Sequence, residues 1–114
     1  YRRLIAALQQ GQPLARPTLV QGVRIGPLGL YGAPFEVFQA IKNDVVQAAR
    51  APVPIVMGLT NDALGYAPDR TVAARGGYAA DQEPLLLGSP PLANAHDELV
   101  EVLLELDEEL FGAG

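Results

Sequence analysis

Four side chains in this sequence have the types and settings that could do chemistry: Glu36, Tyr66, Tyr78 and the single histidine, His96. Glu36 stands just past Pro34, where a strand-like run gives way to a helical pattern. Sites in α/β folds gather at such junctions, at the carboxyl ends of strands. A carboxylate in a helix's first turn faces the positive end of the dipole, stays ionised and can bind a metal. It could equally be an ordinary acid of a helix start. Tyr66 lies in the polar loop Asn61-Asp62-Ala63-Leu64-Gly65-Tyr66-Ala67-Pro68. Its phenol could bind a metal as phenolate, donate a hydrogen bond, or pin the loop by packing. Tyr78 follows Gly76-Gly77, two residues that let the backbone approach another group closely. Its phenol could stabilise an oxyanion, or pack behind a glycine C-cap. His96 sits beside Asp97 at the start of an acidic helix and reads as a solvated or capping residue. With one His and no Cys, the chain cannot build a two-His zinc site, a thiolate site, a Cys nucleophile or a disulfide framework by itself.

The elements that must position these residues follow from periodicity and punctuation. Leu4, Ile5 and Leu8 predict a short helix over residues 1–10, stopped by Gly11. Residues 12–17 carry two prolines and predict a linker or turn. Residues 18–25 and 28–31 predict two strands joined at Gly26-Pro27, a hairpin if that turn is tight. A helix is expected after Gly32-Ala33-Pro34, with Pro34 just inside its start and Val37, Ile41, Val45 and Ala48 as its apolar stripe. Residues 53–59 form a continuous β-branched run, read as a buried strand. Pro54 places it at a sheet edge or at the strand's beginning. Asp69 could cap one helical turn ending at Gly76-Gly77, and residues 85–87 are a further apolar run broken by Pro90-Pro91. Asn94 is expected to cap the last helix, with Asp97 at its third position, a stripe of Leu99, Leu103, Leu106 and Leu110, and Gly112 as its stop. The order implies an α/β fold, a mixed sheet segment flanked by helices. Its core would be thin for an independent domain, and the irregular stretch 60–94 is long, so the chain is expected to be part of a larger domain.

Charge narrows the function classes. The net charge is −5, and seven of the 13 acids lie between residues 97 and 109, leaving the remainder at +2. Neither part has the Lys/Arg stripe of a nucleic-acid surface, so no nucleic-acid partner is expected. The acidic last helix presents a solvated or partner-binding face, opposite in charge to what an anionic bilayer attracts. No apolar run approaches the length of a membrane span. A first residue of Tyr, with no signal-peptide pattern, suggests a start inside a longer gene product. Seven Arg against one Lys in an Ala/Gly/Pro-rich chain hints at a GC-rich bacterial source.

Three ordered segments carry a resemblance. Val23-Arg24-Ile25-Gly26 leads through Leu30 to Pro34-Phe35-Glu36. Gly58-Leu59-Thr60-Asn61-Asp62 then leads to Gly65-Tyr66-Ala67-Pro68, and Gly76-Gly77-Tyr78 follows. In that order, with an amphipathic helix behind them, they resemble the C-terminal part of the neutral/alkaline (non-lysosomal) ceramidase family. The resemblance covers roughly residues 23–110, and the first 22 residues match less well. It implies a zinc amidase that cleaves the N-acyl bond of ceramide-like lipids. It assigns zinc ligation to Glu36 and Tyr66, and contact with the scissile amide to Tyr78, which stands at the family's offset from Tyr66. The two His ligands would come from an upstream segment of the same gene product, and a secreted or periplasmic location would suit a lipid substrate. Phe35 stands where the motif has Gly, which bears on substrate access. The competing readings are a non-catalytic interaction or structural module, and a relative acting on another amide or ester.

Overall fold

A computed structural model describes residues 2–12 and 17–112. The predicted linker falls largely on residues 13–16, which lie outside the described residues, as does Tyr1. The fold is α/β. Helix α1 (Arg2–Gln9) precedes the hairpin β1 (Gln21–Ile25) and β2 (Leu28–Gly32), turned at Gly26 with φ +58°. A short strand β3 (Glu36–Val37) comes next, then helix α2 (Gln39–Ala48) and strand β4 (Val53–Met57). Strand β5 (Tyr66–Ala67), helix α3 (Arg70–Arg75), a π-helical turn (Tyr78–Gln82), helix α4 (Glu83–Leu86) and helix α5 (Ala95–Phe111) complete it. Among the described residues, no helix is long and apolar enough to cross a membrane.

The main sheet has the order β1-β2-β4, with β1 antiparallel and β4 parallel to the central β2. Pro54 sits on the edge strand, where its missing N–H breaks no ladder. Register sorts the two faces. Gly22, Tyr31 and Val56 form one rung on the side that α2 and α5 cover. A methyl on Gly22 would lie 3.1 Å from Leu110 of α5, so the helix rests directly on strand backbone. Ile41 and Val45 of α2 and Leu99 and Leu103 of α5 fill the core around Tyr31. The opposite face departs from the buried strand expected over residues 53–59. Val23 and Ile55 share one rung, Ile25 and Val53 another, and all four are 43–61% exposed. Continuous apolar sequence misleads here because periodicity cannot say whether both faces of a strand are covered.

Gly29 marks the tightest point of the core. A methyl there would lie 2.8 Å from the Ala51 methyl and collide with the Tyr31 hydroxyl. Overpacking of this kind costs roughly 1–3 kcal/mol. Gly29→Ala is therefore expected to lower the urea midpoint, and an unchanged midpoint would show that the core gives way freely.

Candidate functional site

The site residues are carried by a second, smaller sheet. Strands β3 and β5 pair in parallel, and Glu36 is the register partner of Tyr66. The Glu36 amide donates to the Gly65 carbonyl at 2.9 Å, and the Phe38 amide donates to the Ala67 carbonyl at 3.2 Å. The loop between β4 and β5 is stitched to the same segment. The amides of Leu59, Thr60 and Leu64 donate to the carbonyls of Phe35, Ala33 and Pro34 at 2.8–3.0 Å. This wrapping explains the glycines of the segment. A methyl on Gly58 would stand 2.8 Å from the Phe35 carbonyl oxygen, and Gly65 has φ +100°. Leu59 and Asn61 also take positive φ, at 51° and 65°. Such backbone is common for Asn and unusual for Leu, and it tends to accompany functional loops.

These contacts correct the setting expected for Glu36. Residues 36 and 37 are extended and paired to β5, so the helix begins only at Gln39, with Phe38 as its N-cap residue. Pro34 lies outside the helix, and Glu36 is not in a first helical turn. The dipole argument for its ionisation therefore falls away, and strand pairing positions it instead. Val37 is buried as a strand residue, while Ile41 and Val45 form the helix's buried stripe.

Glu36, Tyr66 and Tyr78 are brought together. The Tyr66 phenol and the Glu36 carboxylate are neighbours across the paired strands, and the carboxylate's stabilisation of the protonated phenol is the main cause holding its pKa above the ordinary phenol value. The negative charge of Glu36 adds to this, followed by burial and the neighbouring Tyr78 and Glu83. The rings of Tyr66 and Tyr78 meet edge to face, with centroids 6.3 Å apart and planes at 73°. Phe38 packs its ring against Tyr66 at 6.1 Å, fixing that ring between two aromatic neighbours. Tyr78 is 56% exposed, so its hydroxyl is open to an incoming molecule. Asp69 caps α3 by accepting from the Val72 amide at 2.9 Å, and Gly76 closes that helix, as expected.

Glu83 belongs to this group and no sequence feature marked it. Its two carboxylate oxygens lie over Gly65, where a methyl would be 2.7 and 2.8 Å from them. The signal available was indirect: the glycine before Tyr66 leaves room for a carboxylate, but nothing in the sequence says which one.

His96 departs from its expected solvated or capping setting. It is only 4% exposed. Its Nε2 is 2.7 Å from Asp44 Oδ2, and its Nδ1 accepts from the Arg70 amide at 3.1 Å. Asn94 occupies the N-cap position of α5 without a side-chain cap bond, and Asp97 pairs with Arg70 at 2.6 Å.

Zinc takes four N, O or S donors, usually in a tetrahedral set. Glu36 and Tyr66 present two oxygen donors side by side on paired strands. Among the described residues, no three His, Cys, Asp or Glu side chains group as a metal site. The pair fits as part of a ligand set and not as a whole one. No protein-family model, no curated protein and no solved structure matches this chain.

Proposed function

We propose that this chain contributes half of the active site of a zinc-dependent hydrolase that cleaves the N-acyl amide bond of ceramide-like lipids. The observation that carries the reading is the register pairing of Glu36 with Tyr66, with Tyr78 stacked edge-on beside them. Glu36 and Tyr66 are the proposed ligands, and both are anionic when they ligate, which balances the charge of a dication. Bound there, zinc would supply Lewis acidity and acidify water toward neutrality. The two remaining ligands are histidines from an upstream segment of the same gene product, in the larger catalytic domain that the resemblance implies.

The residues of this chain have separable tasks. The Glu36 carboxylate favours the protonated Tyr66 phenol, so ligation would require the phenol to release its proton to solvent and the carboxylate to serve as a ligand beside it. Phe38 and Tyr78 limit how far the Tyr66 ring can move during that change. Tyr78 donates its phenolic hydrogen to the scissile carbonyl oxygen as negative charge grows on it, an interaction strongest in the transition state. Phe35 packs against the core, so the bulk that replaces the motif's glycine is taken up there.

In the protein carrying the upstream segment, Tyr78→Phe is expected to keep zinc and lose about a hundredfold in turnover, the usual cost of one oxyanion donor. Unchanged turnover of a ceramide substrate would refute the role. The 114-residue chain alone is expected to hold zinc loosely and to hydrolyse no amide. Tight, stoichiometric zinc in the isolated chain would overturn the two-ligand assignment. A second reading, a non-catalytic interaction module, draws on the exposed apolar face of β1 and β4. Zinc analysis separates the two, because that reading gives Glu36 and Tyr66 no metal in either form of the protein.

A further inference from the structure

His96 lies outside the proposed site and links α5, which carries it, to α2 and α3. Its Nδ1 accepts from a backbone amide, so the ring proton of the neutral imidazole is on Nε2 and is donated to Asp44. The amide it holds belongs to Arg70, the first residue of α3. Only Pro68 and Asp69 separate that helix from the strand of Tyr66. Only Gly76 and Gly77, at φ +79° and +124°, separate it from Tyr78. Such glycine backbone is a ready hinge.

We propose that His96 is a positioning residue for the segment carrying Tyr66 and Tyr78, and that a proton operates it: neutral His96 holds the start of α3, and protonated His96 lets it go. Only the consequence for catalysis rests on the hydrolase reading above. When the imidazole gains a proton, Nδ1 becomes a donor and faces the Arg70 N–H, so that hydrogen bond is lost. The bond to Asp44 is strengthened by charge. The charged groups facing His96 divide the same way. Asp44 on α2 and Asp97 on α5 attract the imidazolium, whereas Arg70 on α3 is repelled by it. Asp69 is committed to capping α3 from within and gives that helix no tie to α5. The exposed pairs of Arg70 with Asp97 at 2.6 Å and with Asp44 at 4.0 Å then remain, and exposed pairs are weak. A cavity of about 250 Å³ lies between α3 and the start of α5, lined by Arg70, Ala73, Ala74, Asn94 and His96. It gives the released helix room to shift.

Amide hydrogen exchange on the protein tests this without metal or substrate. Between about pH 7.5 and pH 5, the span over which imidazoles change charge, protection factors corrected for intrinsic rates are expected to fall about tenfold over residues 70–78, the worth of one hydrogen bond. Those of α2 and the middle of α5 should hold. In His96→Asn, whose amide oxygen can accept from Arg70 and cannot titrate, the pH dependence should vanish. A fall that persists in His96→Asn, or no fall in the unaltered protein, overturns the proposal. If that variant does not fold, nitrogen chemical shifts of His96 and the amide shift of Arg70 serve in the unaltered protein. One shared midpoint supports the coupling and two different midpoints refute it. Because exchange reads α3 directly, the hydrolase reading can fail with this proposal intact, and the reverse.

Discussion

Asp107→Ala is expected to destabilise the fold by about 4 kcal/mol, because it strands three donors at roughly 1–3 kcal/mol each. Asp107 is 2% exposed, on the buried side of an acid-rich helix. One oxygen accepts from the Tyr31 hydroxyl at 2.5 Å and from the Ala51 amide at 3.0 Å, and the other accepts from the Arg50 amide at 2.6 Å. A single carboxylate thus joins α5, the central strand and the turn after α2. Urea denaturation measures the cost, and a loss below about 1 kcal/mol would mean that water or a neighbour replaces the carboxylate. Asp107→Asn, which keeps the shape and one acceptor, should lose roughly half as much.

The Asp107–Tyr31 pair makes stability depend on pH at both ends of the range. Burial pushes the Asp107 carboxyl up, but the bonds from Tyr31, Arg50 and Ala51 and the Arg50 charge outweigh it and hold the group below its ordinary value. A lowered folded value means stability that is present above the unfolded carboxylate range, near pH 4, and is lost as pH falls through the folded value. Burial pushes the Tyr31 phenol up, and its hydrogen bond to the Asp107 charge adds to that. A raised folded value means stability that is present below the unfolded phenol value, near pH 10, and is lost as pH rises through the folded one.

How much of this was legible in the sequence depended on whether a local rule decided the outcome. The Gly26-Pro27 hairpin, the Asp69 cap and the Leu99/Leu103 stripe follow from local chemistry, and each is found where it was expected. Pro34 is a good first helical residue, so local rules favour a helix at Glu36. Tertiary pairing to β5 won, since the amides of Glu36 and Phe38 have better partners in Gly65 and Ala67 than in a helical turn. The acids of α5 read as one solvated face, but a period of 3.6 turns Asp107 inward in line with Leu99 and Leu103, and only the three waiting donors explain its burial. His96 failed for the same reason. Its partners Asp44 and Arg70 are 52 and 26 residues away, beyond any local pattern. The proximity of Glu36, Tyr66 and Tyr78 is what the family resemblance implies, whereas Glu83 reaches the site through a π-helical turn that no motif announces.

Glu36→Ala should have the largest effect at the site, and it is readable twice. In a protein carrying the proposed upstream segment, removing one of the four proposed ligands is expected to weaken zinc by at least about a hundredfold, beyond what loss of an outer-shell partner costs, and turnover should fall with it. In the chain alone the same substitution removes the carboxylate that chiefly holds the Tyr66 phenol above its ordinary value. The phenol should then titrate at lower pH, visible as an earlier rise in tyrosinate absorbance. The two readouts answer different questions. A shifted titration establishes that Glu36 and Tyr66 meet in solution as their strand pairing requires. Retained zinc in the longer protein, beside a shifted titration, would leave the Glu36–Tyr66 contact standing and remove Glu36 from the ligand set, and with it the reason to read the pair as half of a metal centre.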